Sequence, residues 1–177
     1  THWHPLLRRL RRLHCPIVAA VNGAAAGGGM ALALAGDIVI AARSAYFLQA
    51  FRRIGLAPDV GSTWLLPRRI GVARAMELSL LGEKLPAEKA LAWGLINRVV
   101  DDGAALDEAM RMAREMAAGP TRALGLMRGL YWDSTENNFE DQLDLEYRTQ
   151  REAGASEDFK EGVAAFLEKR AAKFKGK

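Results

Sequence analysis

Two short segments hold the residues whose types and spacing could do chemistry. In GAAAGGGMALALAGD, Gly27, Gly28 and Gly29 stand at the head of a run of strong helix formers. The spacing is not the G-x-G-x-x-G of a dinucleotide loop, and no Lys-Ser/Thr follows for a phosphate loop. What the glycines offer is backbone: at a helix N-terminus they bare N–H groups, which together with the helix dipole can hold a carbonyl oxygen as it gains negative charge. Close packing of a helix on a strand accounts for the same glycines equally well.

The second segment is Pro58-Asp59-Val60-Gly61 in GLAPDVGSTWLLPRRIG, where a carboxylate sits beside a glycine turn and an apolar run. On spacing alone Asp59, or Ser62 after it, is first of all a cap for the helix that follows. The bulky neighbours Phe51 and Trp64 add a second reading. If they line one cavity with Asp59, they make its ionised form costlier and its carboxylate a better proton acceptor. His2, His4 and His14 lack a carboxylate partner at compatible spacing, so no metal site is expected.

The elements around these segments alternate. IVAAVNG reads as a buried strand ending at the turn signal Asn22-Gly23; the glycine loop and a helix ending at Gly36 follow. DIVIAA and SAYFLQAF are two more short apolar runs, separated at Arg43-Ser44. ARAMELSLLG reads as a helix closed by Gly82, and PAEKALAWGLINRVV as a helix with Pro86 at its first position, ending near Gly94 and returning as a strand. This is an α/β layer pattern. Beyond Asp101 the apolar period is helical, with stripes at Leu106–Met116, Leu124–Leu130 and Phe159–Phe174 that predict three helices. The expected division is therefore an α/β core over 1–103 and a helical region over 104–177, whose apolar faces suit contact with another subunit.

The chain has 177 residues, enough for a real core, with 50% apolar and 26% charged residues. The net charge of +4 could suggest a nucleic-acid partner, but Arg8, Arg9, Arg11 and Arg12 account for all of it. In HPLLRRLRRLHCP these arginines lie opposite Leu6, Leu7, Leu10 and Leu13 at helical spacing, the pattern of a surface helix with a solvated basic side. No nucleic-acid or membrane partner is expected. The single cysteine, Cys15, excludes an internal disulfide framework and fits a reducing cytoplasm. The first residue is Thr1 and not Met, so residues are expected before it.

In order along the chain, PIVAAVNGAAAGGGMALALAGDIVIAA, GLAPDVGSTWLLPRRIG, LSLLGEKLPAEKALAWGLINRVV and SEDFKEGVAAFLEKR resemble successive motifs of the crotonase, or enoyl-CoA hydratase/isomerase, superfamily. The resemblance covers almost the whole chain. It implies a ββα spiral core whose first strands are missing, a helical trimerisation region after it, and assembly as a homotrimer or hexamer. It also implies an acyl-CoA thioester as substrate, with coenzyme A entering as part of that substrate and no separate cofactor. The thioester oxygen becomes an enolate held by two backbone N–H donors, of which Gly28 matches one. The other belongs to an N-terminal A-x-x-A-G-x-D-like segment absent here, and half an oxyanion hole forfeits about 3 kcal/mol of transition-state stabilisation.

Hydratases of the superfamily place two glutamates where this sequence has Ala31 and Phe51. Neither residue can move a proton, which argues against ordinary hydration. Asp59 falls where several isomerases of the superfamily put their acid/base. SAYFLQAFRRIGLAPDVGSTWLLPR and DQLDLEYRTQ are similar to its phenylacetate-pathway isomerases, which rearrange a ring-epoxide acyl-CoA to an oxepin and shift double bonds. The resemblance thus implies Asp59 and Gly28 as catalytic, Ala31, Phe51 and Trp64 as pocket, and Phe166 and Lys169 as residues that reach a neighbouring subunit's coenzyme A. The alternatives are a β-oxidation hydratase, a hydrolase or dehalogenase in which Asp59 is the nucleophile, and a non-catalytic scaffold.

Overall fold

The computed structural model describes residues 2–177. The chain forms two compact units: one holds the residues through Leu10 and Ile17–Met112, the other Arg11–Pro16 and Ala113–Lys177. The division falls inside a helix, whereas the change in sequence character suggested 103/104.

In the first unit, β1 (Val18–Val21) leads into β2 (Ala24–Ala26) and α2 (Gly28–Leu34), preceded by α1 (Trp3–Arg11). The next strand pair, β3 (Ile38–Ala42) and β4 (Tyr46–Leu48), continues into a 3₁₀ turn at Ala50–Ile54 and α3 (Ser62–Leu81). β5 (Lys84–Pro86), α4 (Ala87–Ala92) and β6 (Arg98–Val100) complete it. The strands form two sheets of three. One is parallel in the order β1-β3-β6, with Val18 opposite Ile38 and Ile40 opposite Arg98. In the other, β2 lies parallel to β4 and β4 antiparallel to β5, so that Ala25, Phe47 and Leu85 stand side by side. Each strand pair thus changes sheets at a short turn. That turn at Arg43-Ser44 is pinned: Arg43 pairs with Glu88 and Asp101, and the Ser44 N–H donates to Asp102 Oδ1 at 2.9 Å.

Met30 and Leu34 of α2, Val39 and Ile40 of β3, Phe47 of β4, and Leu66, Leu85 and Leu95 are all but fully buried, and they are the core on which the loops rest. Gly36 is required by proximity, since a Cβ there would lie 2.9 Å from Ala19 Cβ. Where strand partners run out, side chains substitute: Asp37 Oδ2 accepts from the Ile17 N–H at 2.7 Å and Asn97 Oδ1 from the Val39 N–H at 2.8 Å. α3 is broken at Gly71, whose φ of 79° and ψ of 160° are not helical, and it ends at Gly82 in the left-handed region. Pro86 closes β5 and precedes α4, not occupying its first turn as expected, because its extended backbone serves the β5 edge.

The second unit takes the end of α5 (Ala105–Ala117), then α6 (Thr121–Asp133), α7 (Phe139–Gly154) and α8 (Glu157–Leu167). Four helices replace the three expected. The unforeseen one is α7, which buries no residue; its Phe139, Leu143 and Tyr147 recur at helical spacing but are all exposed. Its start is instead set by Asn138, whose side chain accepts from the Asp141 N–H. Buried Arg128 donates to Arg11 O at 2.6 Å and Leu13 O at 2.8 Å, and Gly125 lets the same strap approach where a Cβ would collide with His14 O. The C-terminal tail returns to α8: Asp158 Oδ1 accepts from Lys175 N and Oδ2 from Gly176 N, at 2.7 and 2.8 Å.

Candidate active site

Gly27 is the N-cap of α2, with φ 52° and ψ −121°, a conformation that suits glycine. Its N–H donates to Leu48 O at 2.8 Å, clipping the glycine loop to the end of β4. The Gly28 N–H that follows opens the helix, and no described residue accepts from it. It is therefore a free donor at the positive end of a helix dipole. The other end of α2 is held by Arg69, which donates to Leu34 O at 2.9 Å, Gly36 O at 2.7 Å and Leu95 O at 3.1 Å. Burial pushes its guanidinium pKa down, opposed by nearby Asp37. A cation on the last carbonyls complements the dipole and fixes the helix lengthwise. Nothing in the sequence around Arg69 marks this role; it depends on contacts made across the fold.

Phe51 in the 3₁₀ turn is buried, and its Cζ lies 3.6 Å from where a Gly27 Cβ would be. The two arginines after it fasten the turn to the end of α3, with Arg52 donating to Leu80 O and Leu81 O and Arg53 to Gly82 O. Gln49, just before it, is buried and donates to Met30 Sδ at 3.5 Å. Ala31 lies buried in the first part of α2.

The Asp59–Ser62 segment corrects the capping expectation. The N-cap of α3 is Gly61, with no side-chain cap bond, and Ser62 lies buried at the first helical position with its Oγ unpartnered among the described residues. Asp59 is exposed, and no described residue hydrogen-bonds its carboxylate. Its carbonyl accepts from the Ser62 N–H at 2.9 Å across a tight turn whose central residues, Val60 and Gly61, have φ of 53° and 79°. Two left-handed residues in sequence are the pattern of a type I′ turn. Val60 is buried, with Cγ2 at 3.5 Å from a Cβ placed on Gly28. The fold thus brings Phe51 to Gly27, and the residue after Asp59 to Gly28. Trp64 is half-buried, under the Arg68 guanidinium 3.9 Å from its ring centre.

The enoyl-CoA hydratase/isomerase family model matches residues 1–177. The chain belongs to that family. It is 54% identical over 175 residues, 99% of this chain and 67% of the relative, to the 1,2-epoxyphenylacetyl-CoA isomerase of Escherichia coli K12. It is also 33% identical to 4-chlorobenzoyl coenzyme A dehalogenase-1 of an Arthrobacter species, over 95% of this chain and 61% of that one. The crystal structure of an enoyl-CoA hydratase from Polaromonas sp. JS666 superposes with a TM-score of 0.94 at 38% identity, covering 98% of this chain and 67% of that one. The chain spans about two thirds of the length of these relatives. It is thus a family enzyme with the crotonase-like α/β core and helical C-terminal part.

In the second unit, Phe166 near the end of α8 is 82% exposed and Lys169 is exposed just beyond it. Lys169 has φ 54°, the only positive φ besides that of Val60 among described residues other than glycine. Its N–H donates to Phe166 O at 3.3 Å, and the Arg170 N–H donates to Ala165 O at 3.0 Å. That is a Schellman ending with Lys where glycine is usual. Arg170 is held by Glu161 and Glu168. Among the described residues no three His, Cys, Asp or Glu gather to hold a metal, and no helix is long and apolar enough to cross a membrane.

Proposed function

We propose that this family member is a CoA-thioester isomerase that moves a proton between two carbons, with Asp59 as its single acid/base and the Gly28 N–H as a donor to the enolate oxygen. The observation that carries the reading is the pair of catalytic loops. An uncommitted N–H at the head of α2 and a carboxylate free of capping duty are linked through Val60, whose Cγ2 lies 3.5 Å from a Cβ position on Gly28. A 1,3 proton shift needs one base that removes a proton and returns it, and an oxyanion donor that stabilises the intermediate. Hydration needs a second carboxylate. The positions where hydratases carry glutamate hold buried Ala31 and buried Phe51, and an apolar wall there keeps water from the enolate. The 1,2-epoxyphenylacetyl-CoA isomerase relative at 54% identity supports an isomerase reading and rearrangement of a ring epoxide as one reaction.

Substitution of Asp59 by Asn in the native protein tests the reading. Formation of a conjugated 2-enoyl thioester from a 3-enoyl thioester is expected to fall by a factor on the order of a thousand while acyl-CoA still binds. Near-native turnover would contradict it. The 33% identical dehalogenase favours a second reading in which Asp59 attacks as a nucleophile, and incorporation of labelled solvent oxygen into Asp59 in a single turnover would decide for that one.

Phe166 and Lys169 are proposed to reach the coenzyme A of a neighbouring subunit in a homotrimer or hexamer. Their exposure at the end of α8, beside the exposed Val163 and Leu167, supports this. The exposed Cys15, lone and unbridged, accords with a cytoplasmic setting.

A further inference from the structure

Val60 has no reason to be valine if the Asp59–Ser62 turn were all that mattered. Its φ of 53° costs a β-branched residue on the order of 1–2 kcal/mol, and Gly, Asn or Asp would form the same turn with little strain. What valine adds is a side chain that is 3% exposed and reaches to within 3.5 Å of a Cβ position on Gly28. The strain is held where the carboxylate loop comes close to the glycine loop. Asp59 has no tether of its own: it is exposed, its carboxylate has no hydrogen-bond partner among described residues, and its only fixed group is the carbonyl held by the Ser62 N–H. The direction of the carboxylate is therefore inherited from the turn. The glycine loop is rigid on its side, clipped at Gly27 to β4 and held at the far end of α2 by Arg69.

We propose that Val60 is a positioning residue: its side chain, set against Gly28, fixes the separation between the Asp59 carboxylate and the Gly28 N–H. The inference rests on the reading of Asp59 as acid/base. An enolate must be reached by the base and held by the donor at once, and a misplacement of about 1 Å can cost up to a hundredfold in rate. Binding of the rest of the thioester does not depend on that separation.

Val60→Ala, Val60→Gly, Val60→Thr and Asp59→Asn in the native enzyme, assayed with a 3-enoyl-CoA thioester at temperatures well below unfolding, test it. Truncation to Ala or Gly is expected to lower kcat on the order of tenfold with KM within about twofold, whereas Thr, which keeps the branched shape, holds kcat within about threefold of native. A core-packing role alone would move the unfolding midpoint without this split. Native kcat in both Ala and Gly variants, with Asp59→Asn inactive, overturns the positioning role and leaves the acid/base reading standing. An active Asp59→Asn overturns the acid/base reading itself.

Discussion

A carboxylate that takes a proton from one carbon and returns it to another has to be free of competing hydrogen bonds, and Asp59 meets that condition because Gly61 supplies the N-cap of α3. On spacing alone the sequence favours Asp59 as a helix cap, and only the family resemblance points to it as acid/base; its freedom from capping shows only in the fold. The reason lies in Val60, a residue type that gives no signal for a left-handed turn. Lys169 is the same problem at the other end of the chain. Its left-handed φ of 54° terminates α8 where glycine would do so without strain. Lys169→Gly is expected to stabilise the protein by about 1 kcal/mol in thermal or urea unfolding. The same variant is expected to raise KM for a CoA thioester several-fold if its ammonium meets the coenzyme. A gain in stability with unchanged KM would leave Lys169 a surface residue.

The helix α2 is the element on which the proposed site depends most, since its first N–H is the proposed oxyanion donor and its last carbonyls accept from Arg69. Glycines followed by Met, Ala and Leu made this helix readable from sequence alone. Its anchor was not readable, because Arg69 meets Leu34, Gly36 and Leu95 only in the folded chain. Arg69→Met is expected to cost about 3 kcal/mol of stability in urea unfolding, since three buried carbonyls lose a charged donor. Helices with dense apolar stripes were equally legible, whereas α7, with only Phe139, Leu143 and Tyr147 at helical spacing and no buried residue, was not. In the tail after α8, Glu161 accepts from Arg170 and from Lys173 N, and the Arg170 bonds foremost hold its carboxyl down from 4.5 to about 2. A depressed carboxyl stabilises the folded form above its unfolded value. Docking of the tail is thus expected to be complete above about pH 4.5 and lost as pH falls toward 2. Amide exchange at Lys173, whose N–H donates to Glu161, follows it.

On the scale of the molecule, the order of four motifs along the chain already points to the family, and the ββα core bears that order out. The boundary between core and helical unit was harder to see, because α5 runs continuously through it with one amphipathic pattern. The whole assembly is expected to be a homotrimer or hexamer, which a sedimentation mass of three or six subunits would verify. In the proposed reaction one carboxylate carries a proton across the enolate with water kept out by Phe51 and Ala31. Label transfer tests this most directly. A 3-enoyl thioester deuterated at C2, taken through a single turnover in ordinary water, should give the conjugated 2-enoyl thioester with part of the deuterium at C4. A 3-hydroxyacyl thioester as the main product, or no deuterium at all at C4, would contradict it.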